Sequence, residues 1–371
     1  MLFILHSTFK ILFMSEDVTH IKKILVFRFS ALGDVAMTVP VLWSFSQRYH
    51  EYEVWFVSRP FAKDMVAPLP NIHFFPLSLK ERHKGLAGLF RLYRELRNNG
   101  PWEVVVDLHS VLRTHVLTTL FRISGTRVAR INKGRKEKKA LTRKSNKIFK
   151  PLQSTISRYQ TTFKKAGFPF EMVPFPGKEL FGTKQPNDLF ASDKQQEAAS
   201  APSRENPAGF TIGVAPFAKH NWKMWPEEKM WNLLCILDKE DNRIILFGGR
   251  GEEQEKLEEW AANFKKASTF AGQLSMREEL QLMSQLDVMI SMDSANMHLA
   301  SLAGTRVISI WGATHPFAGF YGYGQSPDDA VQIDLECRPC SVFGNKPCHR
   351  GDFACMMNIT PEMILHKIKA K

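Results

Sequence analysis

The chain has 371 residues, of which 44% are hydrophobic and 23% charged, and 50 Lys and Arg against 37 Asp and Glu give a formal net charge of +13. This composition is that of an ordinary soluble globular protein, and the length suits two domains better than one core. No apolar run approaches the ~20 residues that a membrane-spanning helix needs, so none is predicted.

Residues 1–20 are interpreted as an N-terminal extension that is not translated natively. The stretch MLFILHSTFKILFM is apolar, but His6 and Lys10 interrupt it, and it has neither a basic leader nor a small-residue cleavage site. A signal peptide is therefore not predicted, and we expect translation to begin at Met14. The protein is accordingly expected in the cytoplasm, where its cysteines would be reduced.

Residues 21–182 are predicted to form a first Rossmann-like domain. Short runs rich in β-branched residues at 23–29, 53–58 and 103–109 are typical of parallel strands covered on both faces. Amphipathic stretches such as GLFRLYRELRNN separate strand-like runs. Strand alternating with helix predicts βαβ units in an open parallel sheet.

Asp34 follows the first of these runs, in VFRFSALGDVAMTVP, at the point where the next helix would begin. A carboxylate there caps a helix through the first backbone N–H groups. The same position lies outside the carboxyl end of a strand, where open α/β sheets bind ligands. Asp34 is therefore either a helix cap or a base at the mouth of a cleft.

Residues 127–150 carry most of the excess charge, with eleven Lys or Arg against the single acid Glu137. Such a segment attracts phosphates, acidic sugars, anionic lipid headgroups or nucleic acid, and the alternative is a solvated, mobile loop. Its centre is a basic patch of Arg135, Lys136, Lys138 and Lys139.

Residues 183–207 have the composition of a linker, and residues 208–371 are predicted to form a second Rossmann-like domain that ends in a terminal helix. Strand-like runs occur there at 210–216, 243–249, 287–291 and 306–312. The fold class is thus α/β, with two doubly wound domains facing across a cleft.

A turn in the second domain, SMDSANMHLASLAG, is typical of a phosphate site at the start of a helix. Asp293 and Ser294 are good N-cap residues, and the first N–H groups of the helix lack intrahelical partners. His298 lies one turn beyond Ser294 on the same face, either beside a bound anion or as a packed structural histidine.

Two further strand-to-helix turns have the same character. In APFAKHNWKMWP, Lys219 and Lys223 are placed to meet phosphate. In FGGRGEE, Glu252 would accept hydrogen bonds from a ribose or simply complement the helix dipole.

Four of the five cysteines, Cys337, Cys340, Cys348 and Cys355, have the spacing C-x2-C-x7-C-x6-C. Four thiolates would suit a structural zinc ion, whereas packed reduced thiols or a disulfide are the alternatives.

Several separated motifs together resemble the heptosyltransferase family, glycosyltransferase family 9. They are ILVFRFSALGDVAMTVPVL, KMWP and DSANMHLASLAGTRVISIWGATHP, and the resemblance runs from about Lys22 to about Pro361. It implies the two-domain GT-B fold and inverting, metal-independent transfer of a sugar, heptose from ADP-heptose, to the inner core of lipopolysaccharide.

The resemblance also implies roles for individual residues. Asp34 would be the general base, and Lys223 would contact the donor's phosphates. The remaining donor-binding residues would be Asp293, Ser294, Ala295 and His298, and the acceptor side would include Gly33, Asp107 and Arg113. The residues themselves, rather than the resemblance, add Lys219 and Glu252 to the donor side and Arg59 to the acceptor side. This sequence has His109 where the family commonly has Gln, and Ala295 where it has Gly, so the donor stays open.

Under this resemblance the implied partners are a nucleotide sugar, the lipopolysaccharide inner core or a lipid A precursor, and the inner leaflet of the membrane, which the basic patch would contact peripherally from the cytoplasm. No cofactor is required. One alternative is a GT-B transferase with another nucleotide-sugar donor. Another is a non-catalytic binder of acidic polymer or nucleic acid, although no nucleic-acid-binding pattern accompanies the charge and nucleic acid is not expected.

Overall fold

The computed structural model describes residues 22–182 and 209–370. The predictions made for residues 1–20 and for the linker at 183–207 lie outside the described residues. Between these bounds the chain forms two parallel sheets with helices on both faces, one in each half, as the sequence predicts.

The first sheet is built around the strand that precedes Asp34. Its strands are β1 (Lys22–Phe27), β2 (Tyr52–Ser58), β3 (Ile72–Pro76), β4 (Val104–Asp107) and β5 (Arg127–Arg130), in the order β3-β2-β1-β4-β5. The helices described with it are α1 (Leu32–Ala36), α2 (Val39–Arg48), α3 (Lys63–Val66), α4 (Gly85–Asn98), α5 (Leu112–Ile123), α6 (Arg135–Leu141), α7 (Thr155–Lys165) and α8 (Gly177–Phe181).

The second sheet repeats the arrangement with one more strand. Its strands are β6 (Thr211–Ala215), β7 (Arg243–Leu246), β8 (Ala267–Thr269), β9 (Val288–Met292), β10 (Arg306–Trp311) and β11 (Ala330–Gln332), in the order β11-β10-β9-β6-β7-β8. The helices are α9 (Glu227–Lys239), α10 (Glu252–Ala262), α11 (Met276–Ser284), α12 (Ala295–Leu302), α13 (Ala354–Met357) and the terminal α14 (Pro361–Lys369).

The two halves share a buried apolar cluster that includes Phe181 of α8, Met283 of α11 and Met297 of α12. Helix α1 packs against α12, and α3 and α8 both contact α11. Because α1 follows β1 and α12 follows β9, this packing brings the carboxyl edges of the two sheets together. The cleft between the halves is thus set by apolar contacts.

The basic segment at 127–150 is ordered in the structure rather than a mobile loop. It contributes β5 and α6, and it then runs along the second half. Lys147 Nζ donates to the carbonyl oxygens of Glu336 and Arg338 at 2.8 Å each. The ring of Phe149 lies 4.9 Å from that of Phe317.

Beyond that segment, the chain remains paired with the second half up to the start of α7. Leu152 N donates to Phe317 O at 2.9 Å, and Thr155 N donates to Gly319 O at 2.8 Å. Residues 147–155 therefore form a strap that joins the two halves, and this name is kept below.

None of the helices within 22–182 and 209–370 combines the length and the apolar character needed to cross a bilayer.

Candidate active site

Asp34 lies at the carboxyl edge of the first sheet and is held by a buried arginine. Its Oδ2 forms an ion pair with Arg28 Nη2, and Ala31 N donates to the same oxygen at 3.4 Å. Arg28, the first residue after β1, is 6% exposed, and its Nη1 donates to Leu108 O at 2.9 Å. Both of these contacts use Oδ2, and Oδ1 forms neither of them.

Gly33, next to Asp34 on α1, packs against α12 of the second half. A Cβ atom at this position would lie 2.5 Å from His298 Cδ2, closer than real side chains approach. Only glycine therefore lets α1 pack this tightly against α12. This contact brings the residue next to Asp34 against the helix that carries His298.

Lys223 and Asp293 form the charged pair of the second half. Lys223 Nζ lies 2.9 Å from Asp293 Oδ2, and both side chains are largely buried. Asp293 follows β9 directly, and Lys223 comes from the loop after β6, the neighbouring strand. The pair therefore sits where the carboxyl ends of two central strands meet.

The start of α12 is open to a ligand at the same place. Its N-cap is Ser294, whose side chain makes no capping hydrogen bond and instead lies 3.3 Å from Ser291 Oγ. Ala295 is the first helical residue, so its backbone needs no glycine. The first N–H groups of this eight-residue helix are thus not capped by a side chain, as an anion site requires.

His298 is neutral in this environment. Burial lowers the pKa of His298 to about 4, against the opposing charges of Asp293 and Asp34. Its Nδ1 is buried and has no hydrogen-bond partner within the described structure. A neutral imidazole with a free ring nitrogen is suited to hydrogen-bond a ligand.

Two lysines of the basic segment also lie near Asp34. Burial lowers the pKa of Lys133, the neighbouring Arg28 charge lowers it further, and Asp34 opposes the shift. Burial and Arg158 lower the pKa of Lys138 to about 8, again opposed by Asp34. The carboxylate is therefore surrounded by cationic side chains on its own side of the cleft.

Lys138 does not belong to an exposed basic surface, which corrects the prediction for that residue. It is 9% exposed, and its Nζ lies 3.9 Å from the centroid of the Phe320 ring in the second half. The helix α6 turns this side chain inward, while Arg135, Lys136 and Lys139 are exposed on its outer face. The role of those three stays a prediction.

The predicted acceptor residues differ in their surroundings. Asp107 is fully buried, and its Oδ1 accepts from the N–H groups of His109 (2.9 Å) and Ser110 (2.7 Å), so it closes the turn after β4. Its Oδ2 has no partner in the described residues. Arg113 and Arg59 are exposed, and neither contacts Asp34 in the structure.

Of the predicted donor residues, Lys219 and Glu252 are exposed and lie in the loops after β6 and β7. Glu252 begins α10, and the neighbouring Glu253 accepts a hydrogen bond from Gly249 N at 2.6 Å. The structure thus pairs Lys223 with Asp293, places His298 close enough to feel both charges, and leaves Lys219 and Glu252 exposed.

The four C-terminal cysteines, Cys337, Cys340, Cys348 and Cys355, line one small cavity, and all are free thiols. Burial raises the pKa of Cys355 to about 11, so this thiol is protonated. Among the residues of 22–182 and 209–370, no group of three or more His, Cys, Asp or Glu is arranged to hold a metal ion. The zinc alternative has no ready ligand set here.

Arg28 and Lys133 are site residues that sequence reasoning missed. The signal for Arg28 was present, because a cation directly after the apolar run at 24–27 is buried only when it is paired. Lys133 gave no signal of its own, since eleven cations share its segment.

The chain matches known proteins over most of its length. Residues 89–346 match glycosyltransferase family 9 (heptosyltransferase). Lipopolysaccharide heptosyltransferase 1 of Campylobacter coli is 24% identical over 94% of this chain and 98% of its own length. Lipooligosaccharide heptosyltransferase 2 of Campylobacter jejuni is 24% identical over 43% of this chain, and that match spans 50% of the relative.

Solved structures agree with the fold. The E. coli heptosyltransferase WaaC with ADP superposes with a TM-score of 0.66 at 17% identity, covering 94% of this chain and 99% of that one. The predicted GT-B fold is thereby confirmed. Because the family match covers more than half of the residues, the chain belongs to glycosyltransferase family 9, the heptosyltransferase family.

Proposed function

We propose that this protein transfers a sugar from a nucleotide-activated donor to the inner core of lipopolysaccharide, with inversion at the anomeric carbon and without a metal ion. The observation that carries the proposal is the contact between Gly33 and His298, where a Cβ would lie 2.5 Å from the imidazole. It sets a carboxylate of one half beside the open helix start of the other.

Asp34 is the proposed general base. Inverting transfer is one displacement, in which the acceptor oxygen bonds to the anomeric carbon as the bond to the diphosphate breaks. The acceptor's proton moves to Asp34 Oδ1, because Arg28 and Ala31 N already occupy Oδ2. A positioned base of this kind contributes about 10²–10⁴-fold to the rate.

The leaving diphosphate is proposed to bind at Lys223 and the start of α12. The Lys223 ammonium and the uncapped N–H groups after Ser294 are fixed before the reaction, so they stabilise the developing charge without rearranging. Lys223 would keep its contact with Asp293 and use another N–H of its ammonium for phosphate as the donor arrives. This supply of positive charge supports a reaction that needs no divalent cation.

The acceptor side is proposed to recognise anionic groups. Arg28, Lys133 and Lys138 concentrate positive charge around Asp34. A phosphorylated lipid-linked sugar acid has the complementary charge. ADP-heptose is the proposed donor, because the relatives are heptosyltransferases and one solved neighbour holds ADP.

The decisive experiment follows sugar transfer to a purified inner-core acceptor by the intact protein and by Asp34→Asn. The variant should lose at least 100-fold in kcat while binding of the nucleotide sugar, read as a rise in Tm, stays unchanged. Product NMR should show inversion, and EDTA should leave the rate unchanged.

Asp64→Asn is the matched control, because this acid lies in the first turn of α3 in the same half. It should transfer like the unaltered protein. A panel of ADP-, UDP- and GDP-sugars identifies the donor. Full turnover by Asp34→Asn would remove the proposed base, and a Tm rise with none of the nucleotide sugars would remove the transferase proposal.

A further inference from the structure

The outer layer of the first half carries large apolar side chains that the fold leaves in solvent. Leu86 and Phe90 of α4 are 74% and 52% exposed, and Leu112 of α5 is 81% exposed. Helices α4 and α5 pack together on one face of the sheet, over a core that includes Leu89, Leu92 and Leu117. These helices therefore have a complete buried face, and the exposed apolar residues are additional to it.

The same surface is strongly basic. Residues 80–97 contain six Lys or Arg against two Glu. One of those acids, Glu95, already forms an ion pair with Arg82 at 2.7 Å and contacts His83 Nε2 at 3.1 Å. Lys84, Arg91 and Arg94 are exposed, and in the described part of the chain none of them forms an ion pair.

The apolar residues lie at the end of the layer nearest the site. In parallel βαβ units each helix begins at the carboxyl edge of the sheet, so the first turns of α4 and α5 lie at that edge. Leu112 is the first residue of α5 and comes directly after the turn that Asp107 closes. Leu86 is the second residue of α4 and lies in its first turn.

We propose that the exposed face of α4 and the first turn of α5 dock the protein on an anionic lipid surface, with Leu86, Phe90 and Leu112 inserted among the headgroups and Arg91 and Arg94 against their phosphates. Exposed Leu and Phe beside unpaired arginines are the chemistry of interfacial helices. The inference rests on the proposed function in one respect: a lipid-linked acceptor would then meet the cleft at the membrane.

This surface replaces the centre of the basic segment as the main membrane contact. Lys138 is buried against Phe320, and Lys147 is bound to carbonyl groups of the second half. Arg135, Lys136 and Lys139 remain exposed on α6, which itself carries no exposed large apolar side chain. The apolar side chains next to it, Ile148 and Phe149, belong to the strap and are 49% exposed, less than Leu86, Phe90 and Leu112. Contacts that depend mainly on charge are screened by salt.

The test measures co-sedimentation of the full chain with vesicles of phosphatidylcholine alone or mixed with phosphatidylglycerol, in the absence of nucleotide sugar. The unaltered protein should bind only the anionic vesicles. Leu86→Asp/Leu112→Asp should lower the partition coefficient at least ten-fold, and Arg91→Glu/Arg94→Glu by a similar factor.

Ile123→Asp is the matched control, since Ile123 is 79% exposed at the opposite end of α5. It should bind vesicles like the unaltered protein. In the transfer assay, Leu86→Asp/Leu112→Asp should raise KM for an acceptor embedded in vesicles and leave KM for a short soluble acceptor unchanged.

Three results would overturn the docking surface. In the first, Leu86→Asp/Leu112→Asp binds vesicles as well as the unaltered protein does. In the second, binding is lost only when the charges of Arg135, Lys136 and Lys139 are reversed. In the third, the protein self-associates and Leu86→Asp/Leu112→Asp abolishes that self-association, which would make the occupant a second copy. Because binding is measured without donor, a failed docking surface leaves transfer to the soluble acceptor intact. A failed transferase proposal leaves vesicle binding intact.

Discussion

Lys223 and Asp293 carry opposite charges in a nearly dry place, and each depends on the other. Their side chains are 15% and 8% exposed and lie 2.9 Å apart. Removing one partner of such a pair leaves the other charge buried and uncompensated, whereas removing both charges removes the penalty as well. Comparing the single and the double variant therefore separates the effect on stability from the effect on donor binding.

We expect Lys223→Gln to lower the free energy of unfolding by about 3 kcal/mol, since Asp293 is then buried without its cation. The double change Lys223→Gln/Asp293→Asn should regain most of that stability in denaturant unfolding. Donor affinity should stay at least ten-fold weaker in both variants, because the phosphate contact is gone in both. Recovery of affinity in the double variant would contradict the role given to Lys223.

Glu279 makes the stability of the folded protein depend on pH. It lines a small cavity with Phe247, Phe270 and Leu274, and burial raises its pKa to about 7 from 4.5. The folded state therefore holds this proton more tightly than the unfolded chain. The stability that Glu279 contributes is fully present below pH 4.5 and is lost as the pH rises through about 7.

We expect Glu279→Gln to leave Tm nearly unchanged at pH 5 and to raise it by several degrees at pH 8, measured by calorimetry. Glu259→Gln, an exposed acid on α10, should change Tm equally little at both pH values. An equal shift for Glu279→Gln at pH 5 and pH 8 would show that the carboxyl is not held protonated.

At the scale of elements, the strands that the sequence predicts are the interior ones. The runs at 23–29, 53–58 and 103–109 correspond to β1, β2 and β4, and the four runs of the second half to β6, β7, β9 and β10. The four strands that were missed, β3, β5, β8 and β11, are the edges of the two sheets. An edge strand pairs on one side only and is partly exposed, so it carries no continuous apolar run.

The strap at 147–155 could not be predicted from hydrophobic periodicity in the sequence. Its sequence, KIFKPLQST, is short and basic, and its structure comes from contacts with the second half: Lys147 with two carbonyl groups, and the Phe149 ring with Phe317. The positive charge of residues 127–150 predicted a surface for anionic ligands. One of its cations, Lys147, instead donates to backbone carbonyl oxygens of the same chain.

We expect Lys147→Ala/Phe149→Ala to loosen the two halves. The amides of Leu152 and Thr155 donate from the strap to carbonyl groups of the second half, so they exchange only when these hydrogen bonds open. Their hydrogen exchange should become about ten-fold faster, as expected when the local opening costs about 1.4 kcal/mol less. Arg143→Ala/Lys144→Ala removes two exposed cations from the same segment and serves as the control. Equal acceleration in both variants would mean that lost charge, not the strap, is responsible.

At the scale of the whole molecule, the two sheets follow from the alternation of strands and helices in the sequence. The residues at the cleft follow from the general rule that open parallel sheets bind ligands outside the carboxyl ends of their strands. Asp34, Asp293 and His298 are predictable for that reason. Which cation pairs with which acid is not predictable, because Arg28 meets Asp34 and Lys223 meets Asp293 only in the three-dimensional arrangement of the loops. The inward turn of Lys138 likewise depends on Phe320, which lies far away in the chain.

The bare Cα of Gly33 fixes the spacing between the two halves. An added Cβ would lie 2.5 Å from His298 Cδ2, so any larger residue would push α1 away from α12. Asp34 and His298 would then move apart, and under the proposed function the rate of transfer would fall although neither of these side chains had changed.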